Sequence, residues 1–289
     1  MSRDSYQTLY SLPARFLAWC GAKFSDSFVG KVIGLFFSSI RHFWVNSRKG
    51  GKATNSLLLN QIYFTGVEAV PLVLLIAWLF GTVVVMQALT VMPKVGFGGF
   101  FGNIMVIVII RELGPVLTAF IVTGRTGAAL ATFVGNMKVN SEVDSLESMG
   151  INSVRYLVMP AVVGAMVGMI CLSALFSAVA ITCGFGFAKL SIYLLNMSAD
   201  IDAAIFFNEI FAAMKITDVV MMIVKPLVFG SIISTLACYN GLKLTTDPRK
   251  VPVAAGQTVV SSYALILIAD VLLSAFYLGQ YARQLQGVI

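Results

Sequence analysis

The chain has 289 residues, of which 58% are hydrophobic and only 11% charged. A soluble domain carries about 25% charged residues, so with a mean hydropathy of +0.89 the composition excludes an ordinary soluble domain and points to an integral membrane protein. The net charge of +7 does not point to nucleic acid, because the cations are sorted by position: Arg3, Arg15, Lys23, Lys31, Arg41, Arg48, Lys49 and Lys52 all precede the first long apolar run. That is the pattern of a cytoplasmic N-terminus. Once the apolar segments are set aside, no basic face with interleaved aromatics is left to bind nucleic acid.

Residue usage excludes several chemistries as well. Cys20, Cys171, Cys183 and Cys238 are scattered with no paired spacing, which suits small apolar fillers better than metal or redox chemistry. The single histidine, His42, lies in the basic N-terminal region, which argues against a histidine-dependent active site within the membrane. No phosphate-cradling G-x-x-x-x-G-K-[ST] motif occurs. The polar opening residues are not those of a cleaved signal peptide.

In chain order, residues 1 to 58 read as an N-terminal cytoplasmic or interfacial region and residues 59 to 289 as the membrane domain. Within the first, Phe24 to Val45 is apolar but interrupted by Asp26, Lys31 and Arg41. Phe28, Val32, Leu35, Phe36 and Ile40 fall near helical spacing, which predicts an amphipathic helix lying in the membrane interface. An amphipathic helix packed on the protein itself is the other reading. Ser47 to Asn55 is a basic, glycine-containing linker.

Five spans are predicted. The first covers about Ile62 to Leu89, with Glu68 near its start and Pro71 predicting a kinked entry. Thr90 to Gly99 is a loop. Phe100 to about Met137 exceeds the ~20 residues that cross a bilayer, so it is expected to break or tilt, with Gly114-Pro115 and Gly124 as the irregular points. The third span covers about Leu157 to Thr182. A long exported loop follows, carrying an amphipathic piece near Ala203 to Met214. The fourth span is about Thr217 to Tyr239, and the fifth is about Val253 to Tyr277, with Tyr277 and Tyr281 suited to an interface belt. The positive loops around Lys138 and Arg155, and around Lys243, Arg249 and Lys250, then fall inside, and the C-terminus outside.

Three features stand out as candidates for function. The first is charge at membrane depth: Glu68, Arg111, Glu112, Arg125, Lys225 and Asp270, a costly class of residue that faces a bundle interior or wet cavity. Arg111 and Glu112 point about 100° apart on a helix, so each is expected to need another partner, with Lys225 and Asp270 as candidates. A polar site for an amphiphile's head group and an interhelical structural pair both fit these residues. The second feature is a small-residue band, Gly124, Gly127, Ala131 and Gly135, which lets another helix approach closely, either within the chain or at a dimer seam. The third is the segment SEVDSLESMGI. Ser141 with Asp144 has the form of a capping box, and Val143, Leu146 and Met149 lie along one side. Glu142, Asp144 and Glu147 line the rest, and Gly150 stops the helix. A two-turn helix of this kind is too short to be stable alone, so it packs on its own protein or docks into a partner.

The residues that carry these features also resemble a known family. R-E-L-G-P at 111 to 115, G-R-x-G-x-A at 124 to 129 and E-x-x-x-x-E-x-M-x-I-N at 142 to 152 resemble the MlaE-type permeases of MCE-associated ABC transporters, which move lipids between bacterial membranes. Y-N-G at 239 to 241, T-V-V-S-S at 258 to 262, Asp270 and the Q-I-Y-F-T-G-V opening add to the likeness, which covers about residues 60 to 280. The resemblance implies an all-α integral membrane protein with an interfacial N-terminal helix, about five spans and a short cytoplasmic coupling helix. It implies a homodimeric permease in the bacterial inner membrane, without catalysis or cofactor of its own, the ATP being held by a cytoplasmic ATPase. A periplasmic MCE-domain protein is the further partner implied, a lipid is the implied substrate, and there is room for a small accessory subunit on the ATPase. Arg111, Glu112, Lys225 and Asp270 are then substrate-binding candidates, and Ser141, Glu142, Asp144, Leu146, Glu147 and Met149 contact the ATPase. The chain departs from the family pattern at Phe133, where a carboxylate is common, at Ser153, where proline is usual, and in its long N-terminal region. A proton-coupled secondary transporter and a non-transporting scaffold subunit are the alternatives. The first predicts an internal repeat, and none is visible between the two halves.

Overall fold

The computed structural model describes residues 52–91, 101–194, 202–245 and 247–286, together with positions 32, 34–39 and 41. All regular structure among these residues is helical. Five helical segments are long and apolar enough to cross a membrane, as expected: Ser56–Val91, Phe101–Val139, Val154–Ser191, Ile216–Leu242 and Pro248–Tyr277. A lipid environment forces this choice, since only a helix satisfies its own backbone groups without a neighbouring chain. Most of the predicted amphipathic helix at Phe24 to Val45 lies outside the described residues. Its described positions are helical, and Phe36 packs against a buried cluster of the membrane domain.

Span 1 is two helices, α1 (Lys52–Thr65) and α2 (Val70–Val91), joined by a tight 3₁₀ turn at Val67–Ala69. Pro71 follows that turn directly, and the expected kink is there because its ring cannot continue the preceding ladder. Span 2, α3 (Phe101–Val139), is one long helix with two π-helical stretches, Val106–Leu113 and Thr123–Gly127. The Gly114 N–H reaches back five residues to the Ile109 carbonyl. Pro115 supplies no N–H and crowds the carbonyl four residues earlier, so the chain widens just before it. Both irregular stretches adjoin or contain the glycines expected to mark them.

A short helix, α4 (Glu142–Ser148), links α3 to span 3. Span 3 opens with a π turn at Val154–Val158 and continues as α5 (Met159–Leu194), twelve residues beyond the expected end at Thr182. The loop between spans 3 and 4 contains α6 (Ala203–Ala213), and the Asp202 side chain accepts from Ala204 N at its start. Span 4 is α7 (Ile216–Leu242) and span 5 opens α8 (Val251–Gln286).

Packing places α5 at the centre of one side, against α1, α2 and α7, while α7 also packs on α3 and α8. The closest crossings depend on small residues. A Cβ at Gly81 of α2 would overlap the Ala180 carbonyl of α5, and one at Gly102 would overlap the Glu209 backbone of α6. Such approach without hydrophobic drive is the usual basis of helix association in lipid. Val253, Val260, Leu267, Val271 and Phe276 leave one whole face of α8 exposed and apolar, which costs nothing against hydrocarbon.

Candidate functional site

The charges of spans 2, 4 and 5 converge on one cluster. The Lys225 Nζ lies 2.6 Å from Glu112 Oε2 and 2.9 Å from Ser274 Oγ, and it donates to both. It is also 2.7 Å from Asp270 Oδ1, an ion pair off hydrogen-bond geometry that leaves this oxygen without a donor. Lys225 is 1% exposed, so these contacts are held away from solvent. Ser274 Oγ in turn donates to Glu112 Oε1 at 3.2 Å.

Arg111 forms the other half of the cluster. Its Nε donates to Glu112 Oε1 at 3.4 Å, Nη1 lies 3.9 Å from Asp218 Oδ1, and the guanidinium sits 3.9 Å above the Tyr277 ring. Arg111 and Glu112 do touch, although side chains about 100° apart on a helix are not expected to neutralise one another. The i→i+5 winding of the π stretch turns less per residue than an α-helix, and the long arginine stem closes the rest of the gap. Each also has a partner on another span, as the charge argument required. Two cations face three carboxylates, Glu112, Asp218 and Asp270, for a formal charge of −1.

Sequence reasoning passed over Asp218, Ser274 and Tyr277. Asp218 accepts the Lys215 backbone N–H at 3.0 Å, which starts α7, and it lies two turns before Lys225 on the same face. Asp270, Ser274 and Tyr277 follow one another at four and three residues, a single helical stripe. That spacing was the available signal. Tyr277, expected in an interface belt, is instead 7% exposed and turned inward to Arg111. The side chain of Tyr281 lies outside the described residues.

A cavity of about 550 Å³ opens beside Arg111, lined by Asn103, Val106, Ile107, Ala213, Lys215, Asp218 and Tyr277. Its walls are mostly apolar by area, and Arg111, Lys215 and Asp218 bring charge to them. A cavity of this composition suits a molecule with an apolar body and a charged or dipolar head. Among the described residues, no group of three or more His, Cys, Asp or Glu side chains could hold a metal ion.

The second ion pair, Arg125 to Glu68 at 2.8 Å, ties span 2 to the 3₁₀ turn of span 1 and is half-exposed. The small-residue band packs within the chain. Gly127 faces Ile233, Gly135 faces Leu244 and Val251, Ala131 backs Gly241, and Gly124 lies under the Tyr263 hydroxyl. Phe133, next to the band, is exposed.

At the far end of the bundle, α4 is stopped by Gly150, as expected. Gly150 takes φ 78°, its N–H reaches the Glu147 carbonyl, and the Ile151 N–H reaches the Leu146 carbonyl, the Schellman pattern. The capping box is not formed. Ser141 takes φ 60° and its side chain caps nothing, because a left-handed residue turns its Cβ away from the helix start. Asp144 instead receives Lys138 Nζ at 2.6 Å, and Glu147 Oε1 receives the Ser153 hydroxyl at 2.6 Å. The expected apolar side is graded: Val143 is buried, Leu146 is half-buried and Met149 is exposed.

Five apolar helices around a buried ionic cluster and an adjoining cavity define a multi-pass membrane protein with a polar site between its spans. The sequence matches the model of the family described as "Permease MlaE" over residues 58–276. Among its relatives, a "probable ABC transporter permease protein" of Rickettsia typhi is 32% identical over 76% of this chain and 82% of its own length. A similarly named protein of Synechocystis is 30% identical over 78% and 82%. The chloroplast protein TRIGALACTOSYLDIACYLGLYCEROL 1 of Arabidopsis thaliana is 29% identical over 76% of this chain and 61% of its own. This chain belongs to the MlaE permease family, and it is an ABC transporter permease.

Proposed function

We propose that this chain is the permease subunit of an ATP-driven lipid transporter, working as a homodimer on phospholipids in the bacterial inner membrane. The observation that carries the reading is the cavity beside Arg111, mostly apolar along its walls and bearing the charges of Arg111, Lys215 and Asp218. Acyl chains would lie against Val106, Ile107 and Ala213, and the head group would meet Arg111, Lys215 and Asp218, with Glu112, Lys225 and Asp270, which do not line the cavity, behind Arg111. A relative named for a glycolipid, trigalactosyldiacylglycerol, supports a lipid as the class of substrate. The half-exposed Glu68–Arg125 pair supports a wet or protein-covered surface along spans 1 and 2, where a second copy would close the cavity.

The chain supplies no catalysis or cofactor in this reading. A cytoplasmic ATPase hydrolyses ATP and seats against α4, with Glu142, Leu146 and Met149 making the contact and Ser141, Asp144 and Glu147 setting how the helix is presented. Its movement passes along α3 to the cluster at Arg111. An MCE-domain protein on the opposite side receives or delivers the lipid, the N-terminus is cytoplasmic, and the C-terminus is periplasmic. The test is to purify the protein from native membranes and identify bound proteins and lipid by mass spectrometry, for the parent and Arg111→Glu. Co-purified phospholipid should fall in the variant. Unchanged lipid content would remove Arg111 from the head-group site.

A further inference from the structure

We propose that Ser153 is a positioning residue for α4: its hydroxyl holds Glu147 and so fixes which flank of the short helix faces the ATPase. The proposal rests on the reading of α4 as the ATPase contact. A seven-residue helix has no stable orientation of its own. Both of its connections turn through left-handed residues, Ser141 at φ 60° and Gly150 at φ 78°, so the ladder does not run on from α3 through α4 into span 3. Val143, 2% exposed, anchors the helix at one point, and a single point leaves it free to roll.

Two side-chain tethers on one flank, beside a longer contact on the other from Asn140 Nδ2 to Glu142 Oε1 at 3.4 Å, remove that freedom. Lys138, in the last turn of α3, donates to Asp144, and Ser153, at the start of span 3, donates to Glu147. On a helical projection Asp144 and Glu147 leave from one flank of Val143, while Glu142 and Met149 leave from the other. Both acids stay exposed, so the tethers fix the roll of the helix by holding the first flank, and the second is held only by the long Asn140 contact. Met149 is 66% exposed, and Ile151, just past the Gly150 turn, is 41% exposed.

The two tethers differ in strength. Asp144 has 56% of its side chain in solvent, and an exposed pair of this kind contributes little. Ser153 is 7% exposed, and a hydroxyl-to-carboxylate bond of 2.6 Å is charge-assisted and shielded on the donor side. Ser153 is therefore the stiffer constraint. It also ties the orientation of α4 to span 3, while Lys138 ties it to span 2, so a push on α4 reaches both spans together. Glu147 in this arrangement acts on the helix it belongs to, and the outward contact passes to Glu142, Leu146 and Met149.

The test uses the complete transporter, purified with its ATPase and reconstituted in vesicles of phosphatidylethanolamine and phosphatidylglycerol. ATP turnover should fall roughly three- to tenfold in Ser153→Ala and in Glu147→Ala, the range that one hydrogen bond spans. The double variant should fall no further than either single one, and Ser153→Thr should restore turnover. Normal turnover in Ser153→Ala, failure of threonine to rescue, or additive losses in the double variant would overturn the proposal, the last by showing that Glu147 acts directly on the ATPase. Met149→Asp separates the two layers. An intact complex with normal turnover there refutes the ATPase contact itself, whereas a disrupted complex alongside a normal Ser153→Ala refutes the tether alone.

Discussion

Replacing Lys225 by methionine keeps an unbranched apolar stem, one atom shorter, and removes the charge. In the folded protein this leaves Glu112 and Asp270 facing each other across the space that Lys225 Nζ filled at 2.6 and 2.7 Å. Removing one partner of a buried ion pair costs about 3–5 kcal/mol, since the remaining charge is neither solvated nor paired. Glu112 keeps 31% of its side chain exposed and so retains some solvation, which places the expectation at the low end, about 3 kcal/mol. For a chain of this size that is a fall in Tm of roughly 6–12 °C. The assay is thermal unfolding of the detergent-purified protein, followed by loss of the monodisperse peak. The double variant Lys225→Met, Asp270→Asn should recover more than half of the loss, because it removes the carboxylate that no hydrogen-bond donor reaches. A single variant that melts within about 2 °C of the parent, or a double variant no better than the single, would refute this account of the cluster.

Three further outcomes follow from packing and exposure. Gly81→Ala should lower Tm, because the added Cβ overlaps the Ala180 backbone. Gly256→Ala, with no heavy atom within 4 Å, should raise stability by about 0.5–1 kcal/mol through helix propensity; a loss there would show that another molecule occupies the space. Glu68→Gln breaks a pair whose side chains are 36% and 39% exposed and should cost under about 1 kcal/mol, read as a small change in Tm. A large loss would instead mean that a second chain covers the pair and keeps it dry.

The sequence by itself determined the class of this protein and most of its outline. Five apolar runs longer than a bilayer crossing admit only helices, and Pro71, Gly114-Pro115 and Gly150 marked real turns and irregularities because their backbone restrictions act locally. Lys225 was legible as a partner for Glu112 because an unpaired charge at membrane depth is too costly to leave, whereas Asp270, the other candidate, meets Lys225 and leaves Arg111 to Asp218. The tertiary structure decided the rest. Glu112 and Lys225 are 113 residues apart, and Glu68 and Arg125 are 57 apart, and no local rule specifies such pairings. Asp218 and Tyr277 escaped notice because each has an ordinary local role, a helix start and an interface aromatic, until α3 brings Arg111 between them. Ser141 failed as a cap for the complementary reason. The link from α3 needs a left-handed turn at that residue, and once Lys138 and Ser153 hold the acids of α4, its orientation comes from the spans on either side rather than from its own sequence.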